Sequence, residues 1–134
     1  GQLITAVGKI YKGIWRDGLL QGKAMIYQNE AIYLGEVKNN QPDGKGIMIN
    51  TKHRTYRGPS FCAAFPLTVK NTKYEGEWYR GKPNGKGIYN TEFEQLQNVL
   101  ILKGLWAVGS PVSINLIYRD VNRNIVCRKP LIEG

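Results

Sequence analysis

Tyr74, Gly76 and Trp78 alternate with Glu75 and Glu77, and Gly85, Gly87 and Tyr89 alternate with Lys86 and Ile88. Period-two alternation predicts two strands, with rings and glycines on one face and charged residues on the other. The layout recurs at Tyr11-Lys-Gly13-Ile-Trp15…Gly22-Lys-Ala24 and at Tyr33-Leu-Gly35-Glu-Val37…Gly44-Lys-Gly46. A fainter copy, Leu102-Lys-Gly104-Leu-Trp106…Ser113-Ile-Asn115, keeps the same spacing. Each copy predicts a hairpin, with six residues between its two alternating segments. Repetition of this kind means that each unit stacks on its neighbours, so the unit determines the architecture.

Symmetric closure of the hairpin predicts Trp78 opposite Gly85, Gly76 opposite Gly87 and Tyr74 opposite Tyr89. A large ring opposite a glycine can lie over bare backbone and restore packing that glycine alone forfeits. On the reverse face this register sets Glu77 against Lys86 and Glu36 against Lys45, pairs of opposite charge across strands. The third loop residue is Gly18, Asn40, Gly81 or Gly109, which predicts a left-handed backbone there. Two positions later stand Leu20, Pro42, Pro83 and Pro111. Proline suits a pre-bent position without a backbone donor.

The predicted fold is all-β: one array over 1–134, forming an elongated single-layer antiparallel sheet of consecutive hairpins. Its units fall near 11–27, 33–49, 74–90 and, divergent, 102–118, with a degenerate unit at 56–70 and a C-terminal cap at 119–134. Gln2–Ala6 is read as the stub of a preceding unit. Two readings stand for the insertion after the third full unit. Thr91 and Glu94 resemble a capping box for one short helix near 92–98, while two long strands turning near Gln97-Asn98 account for the same residues.

Tyr-x-Gly-x-Trp, a glycine-bearing loop and then Gly-Lys-Gly resemble the MORN repeat (membrane occupation and recognition nexus). Tyr74-Glu-Gly76-Glu-Trp78-Tyr-Arg-Gly81-Lys-Pro83-Asn-Gly85-Lys-Gly87 is close to a consensus copy. The Leu102 copy departs at Leu102, Ser113 and Asn115. The resemblance implies a twisted single-layer sheet with an aromatic-lined groove. It also implies roles in docking, scaffolding, dimerisation or support of an enzyme.

The chain carries 19 Lys and Arg against 10 Asp and Glu, a net charge of +9. Its 16 glycines fall mostly within the repeats, and no apolar run approaches a membrane span. The start lacks the charged and apolar regions of a signal peptide. Cys62 and Cys127 lie far apart without metal-ligand spacing, so free thiols in a reducing compartment are expected over a disulfide. A lone histidine, His53, no nucleophile elbow and no phosphate loop around Lys86 argue against catalysis. No cofactor or metal site is expected.

A one-layer sheet has no second layer to cover its aromatic face. Tyr11, Trp15, Tyr33, Tyr74, Trp78 and Trp106 are therefore the expected partner-binding groove, for a peptide or helix of another protein or for a second copy in a homodimer. The alternative is contact with an anionic membrane surface through Lys52, Arg54, Arg57, Arg80, Lys82, Arg119, Arg123 and Arg128. A further alternative is an accessory array of an enzyme whose catalytic domain lies elsewhere. Nucleic acid is not an expected partner. The expected location is cytoplasmic, with peripheral-membrane or cytoskeletal association as variants.

Overall fold

Two-residue turns set the frame of the molecule. Asp17-Gly18, Asn39-Asn40, Arg80-Gly81 and Val108-Gly109 all have positive φ at both residues, the signature of type I′ hairpins, whose twist matches that of the flanking strands. The expected left-handed position is present in every copy, and the residue before it is left-handed too. The computed structural model describes residues 1–4, 8–56, 67–95 and 97–132.

The strands of the first half are β1 (Gln2–Ile4), β2 (Ile10–Arg16), β3 (Leu19–Gln28), β4 (Ala31–Lys38), β5 (Gln41–Asn50) and β6 (Arg54–Thr55). Those of the second half are β7 (Thr68–Tyr79), β8 (Lys82–Phe93), β9 (Val99–Ala107), β10 (Ser110–Arg119) and β11 (Ile125–Ile132). All lie in one open antiparallel sheet, ordered β1-β2-β3-β4-β5-β7-β8-β9-β10-β11. The short β6 takes up the edge of β7 at Thr68 and Val69, beyond the last β5 pair at Thr72. The chain is thus a single open sheet of consecutive hairpins, as its alternation predicts.

A bulge in each hairpin changes the predicted register. It falls between Gly13 and Ile14, Gly35 and Val37, Gly76 and Trp78, and Pro111 and Ser113. Tyr74 faces Tyr89 and Gly76 faces Gly87 as expected, but Trp78 faces Pro83 rather than Gly85. Two extra residues on the returning strand shift all pairs beyond them by two. The six-residue loop is therefore a bulge plus a tight turn. The expected ring–glycine pairs form between units instead, Trp78 opposite Gly44 and Trp106 opposite Gly85. The charge pairs move likewise, with Lys23 facing Glu36 and Lys45 facing Glu77. Glu77 uses its carboxylate to accept the Lys86 backbone N–H at 2.7 Å.

Adjacent units are tied by the same backbone bond each time. Asn40 donates to the Leu20 carbonyl at 3.3 Å, Gly81 to Pro42 at 2.9 Å and Gly109 to Pro83 at 2.8 Å. The proline position, which needs no donor of its own, supplies the acceptor for the next unit.

Three expectations are corrected or left outside the described residues. No helix forms among the described residues of 92–98. Glu92 and Phe93 extend β8, the Glu94 amide donates to the Thr68 carbonyl at 3.0 Å, and the Gln95 carboxamide bonds both the amide and the hydroxyl of Thr68. Bonds to β7 leave these groups no helical partners. In the degenerate unit, 57–66 lies outside the described residues, including Arg57, Phe61, Cys62 and Phe65, while Thr68–Lys70 opens β7. Cys127 is disulfide-bonded rather than a free thiol.

Candidate functional site

The face bearing the rings gathers one core cluster. Tyr33 and Tyr74 are each 1% exposed, and Trp78 and Trp106 each 5%. Leu20, Val37, Leu100, Leu102, Leu116 and Tyr118 are buried beside them. Tyr11 and Trp15 pack against this cluster and stay partly exposed.

The expectation of an uncovered strip is therefore corrected at four of its six residues. The physical reason lies in a row of small residues running across the sheet: Gly13–Ala24–Gly35–Gly46–Gly76–Gly87–Gly104. Rings recline into this row instead of standing above it. The Tyr33 ring fills the space a Gly46 side chain would need, and the Tyr74 ring does so at Gly87. Each hydroxyl turns back to its own strand, Tyr33 donating to the Glu36 carbonyl at 2.6 Å and Tyr74 to that of Glu77 at 3.0 Å. Trp78 donates its indole N–H to the Gly46 carbonyl at 3.1 Å, and Trp106 donates to Gly87 at 3.3 Å. Neighbouring rings then cover one another, with Tyr74 5.0 Å from Trp78 and 5.9 Å from Trp106 between centroids. Side chains of adjacent units take the place of a second layer.

Among the described residues, the aromatic face still keeps an open groove of about 500 Å³, within the ordinary range of ligand clefts. Its floor is Thr72, Tyr89, Thr91 and Leu102, and Trp106 and Pro111 close one end. The wall is the β6 segment, Arg54, Thr55 and Tyr56. That segment is held by its β7 pairing, by the Tyr56 amide donating to the Leu67 carbonyl at 2.9 Å, and by the Tyr56 ring 5.5 Å from Phe93. Arg54 reaches over to the Thr72 hydroxyl at 3.4 Å. Burial raises the Tyr89 phenol, and the Arg54 charge partly offsets this. Burial alone raises Tyr56. An apolar floor beside a single guanidinium suits a segment that joins apolar side chains to a carboxylate.

Of the predicted groove only Trp106 lines this cleft. Alternation alone does not mark Tyr56, Tyr89, Leu102 and Pro111 as a site. A signal for Tyr89 is present, since it faces Tyr74 in a correctly predicted pair; the signal for Tyr56 is hidden in the degenerate unit.

The eight predicted lipid-contact cations do not share one edge. Lys52, Arg54, Arg119 and Arg123 lie at the sheet end bearing the β3–β4 and β10–β11 connections, and Arg80 and Lys82 lie at the opposite end. Arg128 stands within β11, and Arg57 lies outside the described residues. Several are engaged within the chain, Arg119 donating to the Arg123 carbonyl at 3.0 Å and Arg80 lying 5.3 Å from the Tyr79 ring centre. His53 pairs with Glu94 at 2.6 Å on the surface.

The family model of the MORN repeat matches residues 11–27, 33–51 and 74–90. No curated protein matches the chain. MORN repeats are in general protein- or membrane-interaction modules and are typically non-catalytic. The three matched segments, each built as the same bulged hairpin in one sheet, are three MORN repeats.

Proposed function

We propose that this chain is a non-catalytic interaction module that holds a segment of a partner protein in the groove between the Arg54–Tyr56 wall and Trp106. The observation that carries this reading is a cleft on the aromatic face where half-buried rings and a guanidinium converge. The segment lays apolar side chains on Tyr89 and Leu102 and sets a carboxylate beside Arg54. Rigid aromatic anchors next to one charged group are the usual makings of an interface hot spot. The net charge of +9 favours an acidic partner and speeds its encounter.

Contact with an anionic membrane is the weaker reading. Cations at both ends of the sheet cannot all meet one plane, which limits the gain of about 1 kcal/mol per cation near a lipid surface.

A displayed library of random twelve-residue peptides tests the proposal. Selected binders are expected to combine apolar and acidic residues and to weaken several-fold on Arg54→Glu. Leu34→Ser, on the opposite face, leaves them unchanged. Binders that ignore Arg54→Glu and depend on Leu34 would reverse the assignment.

A further inference from the structure

The cleft beside Tyr89 has a polar end and an apolar end. At the polar end Thr72 of β7 faces Thr91 of β8, and each is 6% exposed. Arg54 reaches them from the wall and spends one long bond, at 3.4 Å, on the Thr72 hydroxyl. The Tyr89 phenol is near enough for the Arg54 charge to act on it. Leu102, Trp106 and Pro111 make the apolar end.

The polar groups converge without satisfying one another. Among the described residues, neither the Tyr89 nor the Thr91 hydroxyl has a hydrogen-bond partner. No buried side-chain polar atom of the described residues lacks one, so both hydroxyls still meet solvent, and the cleft they line is where they meet it. Buried tyrosine hydroxyls ordinarily find a partner. None of the lining residues is acidic. A guanidinium and three hydroxyls with no carboxylate among them suit an oxyanion. One cation balances one negative charge, which fits a carboxylate, whereas a phosphorylated side chain brings close to two.

Both ends of the cleft are shut. The Tyr56 ring lies 5.5 Å from that of Phe93, which faces Val69, and Val69 and Phe93 are each 2% exposed. At the other end the Trp106 indole sits on the Gly87 carbonyl. From Thr91 back to Gly87, β8 offers about 13 Å of floor. A segment running through would have to climb a wall at each end. A chain terminus climbs only one.

We propose that the partner segment ends in this cleft. Its terminal α-carboxylate takes the Arg54 guanidinium and the hydroxyls of Thr72, Thr91 and Tyr89, and its last side chain, an apolar one, lies against Leu102 and Trp106. This inference rests on the groove reading given above and names the group that the groove selects. The carboxylate supplies discrimination, because without it the donors stay unpaired.

The test uses the 1–134 polypeptide and three sets of N-acetylated peptides, each with mixed positions followed by two drawn from Leu, Ile, Val and Phe. One set ends as the free acid, one as the carboxamide, and one in a glutamate carboxamide, which keeps a carboxylate but not the terminal one. Titration followed by NMR is expected to move the Arg54 side chain, the Thr91 amide and the Trp106 indole saturably with the acids. The carboxamides are expected to bind about tenfold more weakly, the loss of a charged hydrogen bond. Arg54→Gln is expected to abolish the difference between acids and carboxamides, a comparison that holds even if that variant loosens β6. Tyr89→Phe keeps the ring, and is expected to cut the preference several-fold and leave carboxamide binding unchanged. Equal binding of acids and carboxamides, or glutamate carboxamides as tight as the acids, overturns the terminal assignment and leaves the groove reading standing. No saturable shift at Thr91 or Trp106 with any set overturns both.

Discussion

Trp78 donates its indole N–H to the carbonyl of Gly46 at 3.1 Å, across the boundary between two repeats. The donor belongs to one unit and the acceptor to the unit before it. Repeat proteins draw much of their stability from such nearest-neighbour terms. Trp78→Phe keeps a ring and removes the donor, leaving a buried carbonyl short of a partner. Chemical denaturation is expected to show a loss of about 1 kcal/mol. A loss indistinguishable from zero would mean that the bond contributes nothing at the junction.

The Tyr74 ring occupies the space that a Gly87 side chain would need. Gly87→Ala is therefore an overpacking change, expected to cost about 1–3 kcal/mol. The double variant with Tyr74→Ala is expected to cost less than the sum of the single changes, because the methyl group then enters space the ring has left. Additive costs in that cycle would disprove the ring–glycine contact.

Val108 has φ of 49° in an exposed turn, a backbone state that β-branched residues strongly disfavour. Val108→Asn should relieve this strain and raise stability by about 1 kcal/mol. A fall in the denaturation midpoint would contradict the turn assignment.

Alkali is expected to weaken the fold through its tyrosines. Burial, with Tyr89 and Glu77 nearby, pushes the Tyr74 phenol up to about 12. Burial, with Glu36 and Asp43 nearby, raises Tyr33 as well. Phenols of the unfolded chain ionise near 10, so the native state holds protons that the unfolded state releases. This stabilisation is fully present below about pH 10 and is lost as the pH climbs towards 12. Phenolate absorbance should show a group of tyrosines titrating late, together with unfolding. A single titration near pH 10 with the fold intact would refute it.

Cys127 is expected to resist alkylation in the native, unreduced chain and to react after reduction. Ready labelling without reductant would exclude the disulfide. The bond also removes the thiol-based reason for a reducing compartment.

Period-two alternation at Tyr74–Trp78 and Gly85–Tyr89 carries the strands, and the Gly and Asn turn residues carry the hairpins, because both are local properties of the chain. The bulge after Gly76 is not legible in the same way, since two extra residues on the returning strand leave the alternation on either side intact. That two-residue shift moves the Trp–Gly pairs from within units to between them. The burial of Tyr33 and Trp78 is also hidden, because it depends on rings from adjacent units lying down into a shared glycine row. The Arg54–Tyr56 wall is out of reach for a related reason: it stands against Tyr89 only through the pairing of β6 with β7.

Hydrogen exchange at the three indole N–H groups tests most directly whether the aromatic row is the glue between repeats. Trp78 and Trp106 are expected to exchange slowly, as buried donors to Gly46 and Gly87, and Trp15 to exchange fast. Fast exchange at all three would mean that the rings form an open groove, and the account of repeats locked ring to glycine would fail.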